Sequence, residues 1–136
     1  MKGVITTTPE PFNKGDYQWL TGTSLVEAVS TKNVKTLGKG GPHVVLIDYG
    51  HKTSIVKSLT DEGCYVTIVP YSTTYSMIEK LQPDAVVLSN GPGDPMSLSP
   101  LFKEINQIIK HFPTLGICLG HQAIGEVFGG VVVQAK

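Results

Sequence analysis

The chain has no arginine. All eleven of its basic residues are lysines, set against eleven acidic ones, and the formal net charge is zero. Without a planar guanidinium there is no bidentate reader of phosphates or base edges, and a balanced charge offers no electropositive footprint. A nucleic-acid partner is therefore argued against. No apolar run approaches the ~20 residues that a membrane-spanning helix needs, so no membrane association of that kind is expected. The start, Met1 to Thr7, has no apolar h-region, which argues against export. Cysteine is scarce as well. Cys64 and Cys118 cannot make a disulfide framework, and a reducing, cytoplasmic setting is the expectation. No residue pair has H-E-x-x-H or C-x-x-C spacing, so no metal site is expected. At 136 residues the chain holds one domain's worth of material, enough for a core but short for most complete enzymes.

Residues 1–41 carry Pro9, Pro11, Gly15, Gly22, Gly38, Gly40 and Gly41 and show little sustained periodicity. Their one helical hint is Leu25, Val26 and Val29, with Thr23 or Ser24 as the cap and Glu27 in the first turn. We read residues 1–41 as the tail of a preceding domain plus a linker, with the boundary at Gly38–Pro42. From Pro42 the rhythm changes. Apolar runs at 44–49, 65–69, 85–89 and 114–117 predict strands. Between and after them, 52–62, 76–81, a long stretch from Leu98 to Ile109, and 120–128 show helical spacing. Alternating strands and helices predict an α/β fold, a doubly wound parallel sheet of flavodoxin-like type, over residues 42–136. Val131–Val133 opens a further strand-like run that stops almost at once, so the sheet is expected to be truncated. Ligands of such sheets sit at the carboxyl ends of the strands.

Two segments fall at that end. Gly116-Ile117-Cys118-Leu119-Gly120-His121-Gln122 is a G-x-C-x-G turn between a predicted strand and a predicted helix, the thiol counterpart of a G-x-S-x-G nucleophile elbow. A nucleophile raised on a sharp turn leaves no room for Cβ atoms on its flanks and strains the backbone. The helix that follows aims its N-terminal N–H groups at the sulfur and favours the thiolate. The alternative, a thiol that merely packs, fits Cys64 better than Cys118. Ser89-Asn90-Gly91-Pro92-Gly93-Asp94-Pro95 is either a plain tight turn or a cradle of backbone donors. In the second case Gly91, Gly93 and the N–H of Leu119 would face a developing oxyanion. Of the histidines, His121 stands three residues after Cys118 and reads as a cap or packing residue. His43, His51 and His111 read as solvated element ends. The chain thus presents a nucleophile without an evident general base.

These residues resemble the class I (triad) glutamine amidotransferase domain, which the Cys118 motif matches throughout. The Ser89–Pro95 loop resembles the form found in the glutamine-hydrolysing small chains of carbamoyl-phosphate synthases. Residues 45–52 and 63–70 are similar to the first two strand regions of those chains. The resemblance implies that Cys118 attacks the side-chain amide of glutamine and that Leu119 and Gly93 supply oxyanion N–H groups. Gly91 and Gln122 would help hold the glutamine. It implies a large synthetase subunit as partner, which takes the ammonia and uses ATP and magnesium, with no cofactor in this chain. It also implies that the histidine and glutamate of the triad lie downstream of the motif, so that the chain as given is an internal fragment with little turnover. Rival readings are an amidotransferase component for anthranilate, aminodeoxychorismate or guanylate synthesis, a non-catalytic binding subunit, and a redox-sensing thiol, for which Cys64 would be a poorly placed partner.

Overall fold

A computed structural model describes residues 25–133, together with Thr7. Thr23 and Ser24, the expected cap of the first helix, lie outside the described residues, as do residues 134–136. The elements run α1 (Leu25–Val29), β1 (Lys35–Leu37), β2 (His43–Asp48), α2 (Thr53–Asp61), β3 (Tyr65–Pro70), α3 (Tyr75–Leu81), β4 (Ala85–Leu88), α4 (Phe102–His111), β5 (Thr114–Gly116) and α5 (Leu119–Val127). The five strands form one sheet in the order β1-β3-β2-β4-β5. Strands β3, β2, β4 and β5 are parallel. Strand β1 pairs antiparallel with β3, Lys35 opposite Ile68, which makes the sheet mixed rather than wholly parallel.

Side-chain alternation in β2 explains why both faces need cover. Val45, Ile47 and Tyr49 enter one core with Val86 and Leu88 of β4 and with Ile78, Ile105, Ile108, Leu119 and Ala123 from the helices. Val44 and Leu46 enter the other core, with Val66, Ile68 and Val87 and with Val56 of α2. The apolar runs of β2, β3 and β4 thus belong to strands covered on both sides, the doubly wound arrangement.

Three details differ from the sequence expectation. Strand β1 falls in a stretch read as linker. It has three residues, all exposed, too few for a period of two to register against their surroundings. The expected long helix from Leu98 is two segments, a 3₁₀ stretch Pro95–Leu101 and then α4. The break is dictated by Pro100, which has no N–H to give to an α-helical ladder. Asp94 starts the 3₁₀ segment by accepting the Met96 N–H at 2.9 Å. Finally, Val131–Val133 is exposed and forms no strand. Helix α1 is where the periodicity places it, and its Val26 is 1% exposed within the first core.

Candidate functional site

The carboxyl ends of β2, β4 and β5 come together at one rim of the sheet, and the nucleophile candidate stands there. Cys118 is exposed and occupies the cap position of α5 with φ +52° and ψ −109°. A side chain in that backbone region is strained, and such strain persists only where neighbours over-determine the turn. The neighbours are identifiable. The Ile117 N–H donates to the Leu88 carbonyl at 2.9 Å, and the Gly120 N–H donates to the Ser89 carbonyl at 3.1 Å. The glycines on either side are required by space. A Cβ on Gly120 would overlap the Leu88 carbonyl oxygen, and one on Gly116 would lie 2.6 Å from the His121 nitrogen. The elbow is therefore clamped onto the end of β4, with the thiol left facing outward.

The glycine loop lies beside this corner. A Cβ on Gly91 would meet the Tyr49 carbonyl oxygen and come within 2.9 Å of Leu119 Cδ2, so the loop backbone is pressed against the first residue of α5. Gly93 has φ +93° and borders Leu25 of α1. Gln122 sits on the first turn of α5, half-buried, its N–H donating to the Cys118 carbonyl at 3.0 Å. The structure thus brings Gly91, Leu119, Cys118 and Gln122 to one corner, with Gly93 two residues along the same loop.

The histidines divide by end of the sheet. His43 begins β2 and His111 ends α4, so both lie at the opposite rim from Cys118. His43 Nε2 shares a 2.8 Å hydrogen bond with Thr67 Oγ1, and His111 Nδ1 bonds the Gln107 carbonyl at 2.8 Å. His121 is exposed on α5. His51 pairs through Nδ1 with Asp48 Oδ1 at 2.7 Å, the geometry of an oriented base. Yet it follows β2, and β4 lies between β2 and β5, which separates the two strands by ~10 Å at the usual interstrand spacing. His51 has a structural task instead.

That task involves residues to which the sequence reading gave no role. Asp48, 3% exposed, closes β2. Its carboxylate accepts N–H bonds from Thr31 at 2.7 Å and from Gly50 and His51 at 2.9 Å, besides the His51 ring. Burial pushes its pKa up, but the His51, Thr31 and Gly50 bonds outweigh burial and hold it below the ordinary 3.8. Ser89, fully buried, accepts the Tyr49 N–H at 2.9 Å and donates to the Asn90 carbonyl at 2.8 Å. A polar residue closing an otherwise apolar strand was the available signal, since a buried carboxylate or hydroxyl needs partners that the adjoining turn must supply.

Comparison with known proteins agrees with this architecture. The family model for class-I glutamine amidotransferase matches residues 45–136. A carbamoyl phosphate synthase arginine-specific small chain of Geobacillus stearothermophilus is 51% identical over 106 residues, 78% of this chain and 30% of that protein. A carbamoyl phosphate synthase small chain of Caldanaerobacter subterraneus subsp. tengcongensis is 38% identical over all 136 residues, or 37% of its own length. The chain therefore spans about a third of the length of these relatives. A solved structure described as a GMP synthase subunit from Thermoplasma acidophilum aligns with a TM-score of 0.61 at 28% identity. It covers 72% of this chain and 50% of that one. Among the described residues no helix is long and apolar enough to cross a membrane. With a glycine-flanked cysteine at the strand-to-helix corner of a doubly wound sheet and a family match across residues 45–136, the chain belongs to the class-I glutamine amidotransferases.

Proposed function

We propose that this chain carries the nucleophile and the oxyanion loop of a glutaminase site that supplies ammonia to a synthetase making carbamoyl phosphate. The observation that carries the reading is the exposed, strained Cys118 at the start of α5, beside a glycine loop packed on Leu119. The Cys118 thiolate attacks the γ-amide carbon of glutamine, and the carbonyl oxygen becomes an oxyanion that accepts N–H bonds from Gly93 and Leu119. Gly91 and Gln122 hold the substrate. Collapse of the tetrahedral intermediate breaks the C–N bond and releases ammonia, its nitrogen protonated by the general acid. Water then attacks the γ-glutamyl thioester, releasing glutamate and restoring the thiol.

His43 and His111 lie at the opposite rim and His51 is engaged by Asp48, so proton transfer is assigned to the histidine and glutamate that the family resemblance places downstream of the motif. The large synthetase subunit that receives the ammonia and uses ATP and magnesium is a separate partner. By itself the 136-residue chain is expected to turn glutamine over slowly if at all. Carbamoyl phosphate synthesis is preferred over guanylate synthesis because small-chain relatives match at 38–51% identity, against 28% for the GMP synthase structure. A cytoplasmic location is consistent with this metabolism. In the full-length protein with its partner, Cys118→Ala should lower glutamine-dependent synthesis by at least ~10³-fold while synthesis from added ammonia continues. Retained glutamine hydrolysis would overturn the assignment.

A further inference from the structure

The amidotransferase reading explains Cys118 and the two glycines but leaves the residue between Ser89 and Gly91 without a task. We infer that Asn90 is a positioning residue that sets the oxyanion loop against the nucleophile elbow, an inference that rests on the function proposed above. Both ends of its side-chain amide are engaged, and both bonds go to one turn. Oδ1 accepts the Lys52 N–H at 3.0 Å, and Nδ2 donates to the Gly50 carbonyl at 3.1 Å. That turn is itself immobilised. Asp48 caps the N–H groups of Gly50 and His51 and also holds the His51 ring. Pro92 leans on the same turn, since a Cβ on Gly50 would lie 3.1 Å from Pro92 Cδ.

On its other side the segment is fixed to the elbow. The Ser89 carbonyl accepts the Gly120 N–H, while the Ser89 hydroxyl ties the Tyr49 N–H to the Asn90 carbonyl. The loop that begins at Gly91 thus leaves a bracket with two fixed arms, one on the turn after β2 and one on the corner that bears Cys118. Free to rotate about its glycines, the loop would otherwise sample many placements of the Gly93 N–H. Asn90 removes that freedom at the root of the loop and touches no reacting atom.

The experiment uses the full-length protein with its synthetase partner and reads kcat and KM for glutamine hydrolysis. Asn90→Ala should lower kcat by about 10–100-fold, the scale of a small misplacement of a catalytic group. KM should stay within about threefold, the pattern of an interaction used in the transition state. In a Gly93→Ala background, where a side chain at φ +93° already strains the loop, the same change should lower kcat by less than about threefold further, because the two residues act through one loop. Asn90→Asp keeps the volume and the acceptor for Lys52, so it covers the case in which the alanine variant does not fold. It lacks the donor to Gly50 and should still lose kcat by at least about threefold. Equal losses in both backgrounds, a change confined to KM, or wild-type kcat in Asn90→Asp would overturn the inference. Cys118→Ala in the same series separates the two readings. If it is inactive while the Asn90 variants run at wild-type kcat, the positioning role alone falls; if it hydrolyses glutamine, the glutaminase site falls with it.

Discussion

A single methylene decides whether Cys118 can stand where it does. Gly120 lies against the Leu88 carbonyl so closely that any side chain there must push α5 away from β4. That backbone carbonyl cannot swing aside, because it accepts the Ile117 N–H. Gly120→Ala should therefore destabilise the chain by about 1–3 kcal/mol, the range of overpacking in a tight interior. Chemical denaturation with an unchanged m-value would check this, and an alanine variant as stable as wild type would contradict the close approach. Gly125, on the same helix, has open space at its Cβ position and serves as the control. The demand for glycine at 116 and 120 was legible in the sequence, since a cysteine framed by glycines directly after an apolar strand points to a tight corner. The role of Asn90 was not. Between serine and glycine an asparagine reads as ordinary turn chemistry, and only the fold shows that both ends of its amide reach the turn at residues 50–52.

At the scale of elements, the turn after β2 is an electrostatic clasp. Asp48 gathers bonds from Thr31, Gly50 and His51 onto one buried carboxylate and so joins the end of α1, the end of β2 and the start of α2. Its pKa is held below 3.8 in the folded chain by these bonds, against the opposing effect of burial. A carboxyl depressed in this way contributes stability that is fully present above its unfolded value and is lost as the pH falls through 3.8 toward the folded value. Wild type should accordingly be more stable than Asp48→Asn at pH 7, by about 1–3 kcal/mol for disturbed buried hydrogen bonds. The gap should narrow as the pH falls below 3.8. Thermal melts of both proteins from pH 7 to 3 would show it, and parallel curves would contradict it. Helix boundaries were less legible at this scale than helix identity. Pro100 is plain in the sequence, but the apolar spacing of Leu98, Leu101 and Ile105 carried the expected helix straight through it. The structure resolves the conflict by winding residues 95–101 more tightly.

Across the whole molecule, the parallel strands with their crossover helices were readable because buried strands announce themselves as unbroken apolar runs. Strand β1 was not, since an exposed three-residue strand acquires its identity only from the partner it lies beside. The feature with the widest reach is the twisted backbone at Cys118, because it sets reactivity against folding in every copy of the chain. Alanine in place of Cys118 keeps a Cβ at φ +52° and so keeps the steric penalty, whereas glycine carries none. Cys118→Gly should therefore be catalytically dead yet melt at a higher temperature than Cys118→Ala, by an amount equivalent to about 1 kcal/mol. A thermofluor comparison of the two inert variants reads the difference directly, and a lower melting point for the glycine variant would contradict it. If it appears, the chain gives up part of its resistance to heat so that one sulfur can stand clear of the surface.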